Sequence, residues 1–201
     1  YDFATVIAEA LAVAARTGGA FDPAIGAVVD CWGYGPQPVA GPPAKSQVAD
    51  ALAAGGWRRL AFDPGARRLR QPGRLRLDLS GIAKGFAVDK VAAVLAAHGH
   101  AHALVEVGGE LVGRGLRPDG EPWWVDLETP FAAAEPLRVA LHVVAVATSG
   151  DYVRGRHTID PRTGYPVKDA LAVSVLHPSA MLADAWATAL SVLPPPERAG
   201  L

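Results

Sequence analysis

Apolar side chains recur at helical spacing near the start of the chain and again after residue 80. The first set ends before Gly18-Gly19 and comprises Phe3, Val6, Ile7, Ala10, Leu11 and Ala14. The second set comprises Ile82, Phe86, Val91, Val94 and Leu95, with Ser80 suited to cap its N-terminus and Gly99 its C-terminus. Spacings of three and four residues predict an amphipathic helix in each segment.

Shorter segments alternate apolar and polar residues, the pattern of half-buried strands. Leu75, Leu77 and Leu79 alternate in this way and place Asp78 on the polar face. The predicted strands are Arg58 to Phe62, Arg67 to Arg70, Arg74 to Leu79, Ala103 to Val107, Trp123 to Glu128 and Leu137 to Ala147, with a short helix from Ser46 to Ala54. Strands and helices interleave without a strict β-α-β rhythm, which predicts a single α+β domain with a mixed or antiparallel sheet flanked by helices.

The apolar segment from Pro178 to Leu193 contains a carboxylate and a hydroxyl four residues apart, Asp184 and Thr188. In a helix this spacing puts both side chains on one face, one turn apart. Buried oxygens need a partner, and a hard cation such as Mg²⁺ takes oxygen ligands and shares them with substrate phosphates. A structural acid paired with a backbone group or an arginine is the alternative.

Lys84 lies in the first turn of the second predicted helix, where a positive charge opposes the helix dipole. A phosphate or pyrophosphate at the helix N-terminus would offset that opposition, whereas a solvated lysine is the simpler alternative. No Gly-x-x-x-x-Gly-Lys-Ser/Thr or Gly-x-Gly-x-x-Gly motif follows a predicted strand. The sequence therefore disfavours P-loop and dinucleotide-binding folds.

Composition narrows the remaining choices. The 201 residues are 50% hydrophobic with a net charge of −1, as in a water-soluble domain with a sizeable core. Seven arginines between positions 58 and 76 favour a solvated hairpin face over a nucleic-acid surface, because no aromatic stacking platform accompanies them. The single cysteine, Cys31, excludes an internal disulfide, and His98, His100 and His102 lack the spacing of a strong metal site.

Five blocks in order resemble the ApbE family of flavin transferases. They are Asp78-Leu-Ser-Gly-Ile-Ala-Lys-Gly-Phe-Ala-Val-Asp89, Val105-Glu-Val-Gly-Gly-Glu110, Ala147-Thr-Ser-Gly-Asp-Tyr152, His157-Thr-Ile-Asp-Pro-Arg-Thr-Gly-Tyr-Pro166 and Pro178-Ser-Ala-Met-Leu-Ala-Asp-Ala-Trp-Ala-Thr188. Thr17 to Pro23 and Cys31 to Pro36 are also similar to family segments, so the resemblance covers nearly the whole chain. It implies one ApbE-like domain over residues 1–201 that lacks N-terminal and C-terminal portions of the family.

The resemblance assigns site residues by position. Asp184 and Thr188 match metal-binding side chains, and Gly81 matches a position whose backbone carbonyl binds the metal. The positions that match FAD-binding segments are Ala20, Phe21, Asp22, Asp78, Lys84 and Ile159. Gly108 and Gly109 would allow close backbone approach to the ligand, although paired glycines also mark a bulge. His157 is the candidate base for a hydroxyl nucleophile, with a structural histidine before a turn as the alternative.

The resemblance also implies the reaction. A Mg²⁺-dependent enzyme of this family cleaves FAD, attaches FMN through a phosphoester to a threonine or serine of an acceptor protein, and releases AMP. The alternatives are an FAD pyrophosphatase that forms FMN and AMP and a protein that binds FAD without cleaving it. Family resemblance implies a location on the outer side of the cell membrane through an anchor before Tyr1, whereas without such a signal the cytoplasm is expected.

Overall fold

A computed structural model describes residues 1–127, 129, 135–150, 157–167 and 172–200. It contains helices and antiparallel sheets, which confirms the predicted α+β class. The chain forms two compact units, which are described in turn. The predicted division into a single domain stays a prediction.

The first unit comprises the described parts of Tyr1–Leu79, Arg154–Asp169 and Val192–Leu201. Its helices are α1 (Asp2–Arg16), α2 (Gly26–Cys31), α3 (Lys45–Ala54), a 3-10 turn (Trp57–Arg59) and α6 (Pro195–Arg198). Its strands form two short antiparallel hairpins, β1 (Ala61–Asp63) with β2 (Arg68–Arg70) and β8 (Ile159–Asp160) with β9 (Tyr165–Pro166). The predicted periodicity of α1 is confirmed, because its buried face includes Val6, Ile7, Ala10 and Ala14.

The predicted strand from Arg74 to Leu79 is wrong, because this segment pairs with no strand in the described part of the chain. Its backbone bonds instead to the start of α2 and to the loop before it: Gly26 N–H donates to the Arg76 carbonyl and Asp78 N–H to the Pro23 carbonyl. Leu75 still reaches the core, where it packs with residues of the α2 loop and the first hairpin. The alternation of Leu75, Leu77 and Leu79 therefore belongs to an irregular extended segment in which only Leu75 is buried.

The second unit comprises the described parts of Ser80–Val153 and Ala170–Ser191. It contains an antiparallel sheet with strand order β10-β7-β4-β3 and a separate β5-β6 hairpin. The strands are β3 (Ala103–Val107), β4 (Glu110–Arg114), β5 (Trp123–Asp126), β6 (Arg138–Leu141), β7 (Val144–Gly150) and β10 (Ala172–His177). The predicted strand from Leu137 to Ala147 is interrupted, because Val143 has a positive φ of 60° and its N–H bonds to the Gly113 carbonyl.

Two helices pack on this sheet, α4 (Ser80–Ala97) and α5 (Ala180–Val192). Val88 and Ala92 of α4 pack against Val105, Val112 and Ala145. Ala183 and Ala187 of α5 pack against β7 and β10 through Ala147 and Val175. Small alanines let α5 lie close to the sheet, which fixes the position of the polar residues between them. Among the described residues, none of the helices has the length and apolar character needed to cross a membrane.

Candidate functional site

Asp184 and Thr188 lie one turn apart on α5, as their spacing predicts. The Asp184 carboxylate is buried, at 4% exposure, and Thr188 is half-buried. Within the described parts of the chain, no hydrogen bond is made by the Thr188 hydroxyl, whereas the Thr188 carbonyl accepts from Ser191 Oγ at 2.7 Å. One oxygen of the pair is therefore available to a ligand.

The N-terminal half of α4 lies directly against α5 at Gly85. Gly85 N–H donates to Asp184 Oδ2 at 3.0 Å, and a side chain at Gly85 would have its Cβ 2.6 Å from the Ala180 carbonyl carbon. In a regular helix the Gly85 N–H points at the carbonyl of Gly81, four residues earlier. Gly81 departs from helical geometry, with φ −88° and ψ 16°, so the helix is kinked where the resemblance places a carbonyl ligand.

Lys84 contacts two carboxylates of the same unit. Its Nζ forms a short ion pair with Glu110 Oε1 and lies 3.7 Å from Asp184 Oδ1. Glu110 is only 2% exposed and its Oε2 is buried without a hydrogen-bond partner among the described residues. The anion that the helix dipole argument requires near Lys84 is thus supplied by the chain, since two carboxylates face this one ammonium among the described residues.

The pKa of Asp184 reflects its burial. Desolvation raises this pKa above its ordinary value, because the charged form loses its water. The positive charge of Lys84 and the Gly85 N–H oppose the rise. An added cation beside Asp184 would act in the same direction as Lys84 and favour the ionised carboxylate.

Gly108 and Gly109 form the turn between β3 and β4, both with positive φ, at 61° and 94°. Gly109 N–H donates to Glu106 Oε1 at 2.7 Å, so the Glu106 carboxylate closes the turn. A Cβ at Gly108 would lie 3.4 Å from Lys84 Cδ. The paired glycines thus give a left-handed turn beside the stem of Lys84, and their contact with a ligand stays a prediction.

The other predicted binding segment, Ala20 to Asp22, belongs to the first unit. Ala20 and Phe21 are buried, and the Asp22 carboxylate fixes the backbone by accepting from Ala24 N–H at 2.7 Å and from Trp57 N–H at 3.1 Å. Burial raises the pKa of Asp22, while these two bonds and Arg58 oppose the rise. The described structure thus gives Asp22 a role as a backbone anchor.

Replacing Asp22 by alanine is expected to lower the free energy of unfolding by about 2 kcal/mol, because two partly buried N–H groups lose their acceptor. Urea unfolding measures this change. Asp63→Ala is the matched control, since Asp63 Oδ1 accepts from Ala66 N–H at 2.9 Å in an exposed turn. We expect less than about 1 kcal/mol there. Equal losses in both variants would contradict the anchoring role of Asp22.

Three further predicted site residues lie in the first unit. Asp78 is half-buried, and its backbone N–H bonds to the Pro23 carbonyl at 2.9 Å, next to the Asp22 anchor. Ile159 is buried in β8, and the His157 ring meets Tyr34 edge to face with centroids 6.3 Å apart. Their roles toward FAD, and that of His157 as a base, stay predictions.

Sequence reasoning missed Glu110 as a partner of Lys84. A signal was present, since Glu110 and Val112 alternate along β4 and both side chains point to the buried face. An acid at an inward strand position requires a positive partner. The described ranges contain no group of three or more His, Cys, Asp or Glu side chains placed to hold a metal ion, so a cation at Asp184 would depend on hydroxyl, carbonyl and ligand oxygens.

Comparison with known proteins gives consistent results. The model of the ApbE family matches residues 1–201. The chain is 36% identical to the FAD:protein FMN transferase of Haemophilus influenzae, over 96% of this chain and 60% of that protein, and 37% identical to that of Vibrio cholerae, over 94% and 60%. It therefore spans about 60% of the length of these two curated relatives.

Solved structures agree with this result. The flavin transferase ApbE from Vibrio cholerae superposes with a TM-score of 0.87 at 36% identity, over 96% of this chain and 64% of that one. The apo form of the Pseudomonas stutzeri flavinyl transferase ApbE gives a TM-score of 0.86 at 38% identity, over 96% and 62%. Since the family model and these relatives match almost all of its residues, this chain belongs to the ApbE family.

Proposed function

We propose that the chain is the FAD-cleaving part of a Mg²⁺-dependent FAD:protein FMN transferase. The FMN moiety is transferred to a threonine or serine hydroxyl of an acceptor protein, and AMP leaves. The observation that carries the proposal is the polar cluster of Lys84, Glu110 and Asp184 beside the kink at Gly81. The printed names of the relatives support the reaction class.

The donor set fits a hard cation. Asp184 offers a carboxylate, Thr188 offers a hydroxyl without a described partner, and the kink at Gly81 is compatible with a released carbonyl. Mg²⁺ prefers six oxygens and commonly takes several of them from phosphates and water. When bound, the metal would polarise the pyrophosphate and neutralise charge on the leaving AMP.

The protein's own residues have separate roles in this proposal. Lys84 binds the pyrophosphate, and Glu110 holds the ammonium group of Lys84 in place while the ligand is absent. Asp22 fixes the backbone that presents Ala20 and Phe21 to the flavin. His157 accepts the proton of the acceptor hydroxyl as the general base.

The deciding experiment is the intact mass of an acceptor domain with its target threonine, incubated with this chain and FAD, with Mg²⁺ and with chelator. A Mg²⁺-dependent gain equal to FMN less one water supports the transferase, and a Thr→Ala acceptor must show none. AMP and free FMN without a mass gain would identify a pyrophosphatase. Intact FAD would identify a protein that only binds it.

Lys84→Ala is expected to weaken FAD binding by about tenfold and FMN binding much less, because the lost charge faces the pyrophosphate. Isothermal titration with both ligands gives the ratio of the FAD and FMN dissociation constants. This ratio does not depend on the fraction of protein that is folded, since both ligands bind the same folded protein. Lys90→Ala on the same helix is the control and should leave both affinities unchanged. Equal losses for FAD and FMN in Lys84→Ala would reject the pyrophosphate contact.

A further inference from the structure

The N-terminus of α5 is capped by an acid from another helix. Asp89 of α4 accepts three hydrogen bonds: its Oδ2 from Ser179 Oγ at 2.7 Å and from Met181 N–H at 3.0 Å, and its Oδ1 from Ala180 N–H at 3.0 Å. Ser179 Oγ also accepts from Leu182 N–H at 3.3 Å. Three N–H groups that the helix cannot satisfy internally thus find partners through one carboxylate and one hydroxyl.

A second carboxylate makes the reciprocal contact one turn along each helix. Asp184, four residues after Ala180, accepts from Gly85 N–H, four residues before Asp89. Residues four apart lie on the same helix face, so Gly85 and Asp89 face Ala180 and Asp184 along one line of contact. Each helix therefore contributes one carboxylate to the backbone of the other.

This pair of contacts determines the register between α4 and α5. The Asp89 bonds fix the first turn of α5, and the absence of a side chain at Gly85 lets the two backbones approach at Ala180. Lys84 precedes Gly85 by one residue, and its Nζ lies 3.7 Å from Asp184 Oδ1. A slip or rotation of α5 against α4 would therefore change the position of Asp184 relative to Lys84.

We propose that Asp89 is a positioning residue for the cation site at Asp184 and Thr188. It touches neither proposed ligand side chain and acts by holding α5 in register with α4. The inference rests on the proposed function, because it assumes that Asp184 binds a divalent cation. Partners that orient metal ligands typically change metal affinity by about 10-fold to 100-fold when they are removed.

The test is titration of the full chain with Mn²⁺ alone, with free Mn²⁺ measured by electron paramagnetic resonance. Mn²⁺ binding that is lost in Asp184→Ala is assigned to the site at Asp184. We expect the Mn²⁺ dissociation constant of this site to rise at least about tenfold in Asp89→Ala. Asp89→Asn keeps one acceptor oxygen, and Ser179→Ala keeps both backbone bonds to Asp89, so both are expected to fall between wild type and Asp89→Ala.

The control separates positioning from general loss of stability. Leu141 is fully buried in β6 of the same unit, and Leu141→Ala removes core packing without altering the bonds between α4 and α5. It should lower the melting temperature at least as much as Asp89→Ala does and leave the Mn²⁺ dissociation constant within about twofold of wild type.

The outcomes are distinguishable. If folded Asp89→Ala binds Mn²⁺ with wild-type affinity, the positioning role is overturned and the proposed function is unaffected. If Asp89→Ala does not fold, wild-type Mn²⁺ affinity in both Asp89→Asn and Ser179→Ala has the same meaning. An affinity loss in Leu141→Ala equal to that in Asp89→Ala also overturns it. If Asp184→Ala binds Mn²⁺ as wild type does, the metal assignment fails first, and the inference fails with it.

Discussion

Asp184→Ala is expected to reduce Mg²⁺-dependent cleavage of FAD by at least about 100-fold, since removing one preorganised electrostatic partner typically costs 10² to 10³ in turnover. The carboxylate is buried on α5 and is the charged member of the proposed donor set. Release of AMP at saturating FAD, measured across Mg²⁺ concentrations, gives the change. Excess Mg²⁺ should restore little activity, because the Thr188 hydroxyl and the Gly81 carbonyl are neutral donors and bind a hard cation weakly without a carboxylate.

Two further variants make this result specific. Asp184→Asn keeps an acceptor for Gly85 N–H at nearly the same shape, so it should retain more stability than Asp184→Ala while losing activity to a similar degree. Asp126→Ala is the surface control, since Asp126 is an exposed partner of Arg138 in the same unit. Turnover by Asp184→Asn within about threefold of wild type would refute the ligand role.

Gly85→Ala is expected to destabilise the protein by about 3 kcal/mol, the upper end of the usual cost of overpacking. The added Cβ would lie 2.6 Å from the Ala180 carbonyl carbon and 2.8 Å from Met181 Cα, and closer still to the Ala180 oxygen. These are backbone atoms that cannot rotate away. Helix propensity alone predicts the opposite sign, a gain of about 1 kcal/mol for alanine over glycine.

Thermal and urea unfolding test this sign. Gly41→Ala is the control, because a Cβ there would meet nothing within 4 Å, and we expect a change within about 0.5 kcal/mol. If α5 moves to relieve the contact, Gly85→Ala should also weaken Mn²⁺ binding as Asp89→Ala does. A Gly85→Ala protein as stable as wild type would show that the close approach of α4 and α5 is not required.

Local patterns predicted much of the fold and one part of the site. Helical periodicity found α1 and α4, and the four-residue spacing of Asp184 and Thr188, taken as helical, placed both on one face of α5. These features depend on residues close in sequence, for which periodicity is informative. The α+β class followed from the order of the predicted elements.

Contacts between distant residues were beyond this reasoning. Alternation at Leu75, Leu77 and Leu79 predicted a strand, but the backbone there bonds to the loop before α2, which no local pattern specifies. The pairing of Lys84 with Glu110 and the capping of α5 by Asp89 also join separate segments of the chain. Each of these depends on tertiary packing, which determines the partner of a buried polar group.

The bonds between α4 and α5 have a consequence for synthesis on the ribosome. Asp89 and Ser179 are 90 residues apart in sequence, and Gly85 and Asp184 are 99 apart. The chain emerges from its N-terminus, so α4 is complete long before its partner carboxylate exists. Until α5 has been synthesised, the N-terminal part of α4 therefore lacks the Asp184 acceptor for Gly85 N–H, and the face that packs on α5 stays uncovered. We expect nascent chains that stop before α5 to bind no cation at this site and to be the preferred substrates of chaperones.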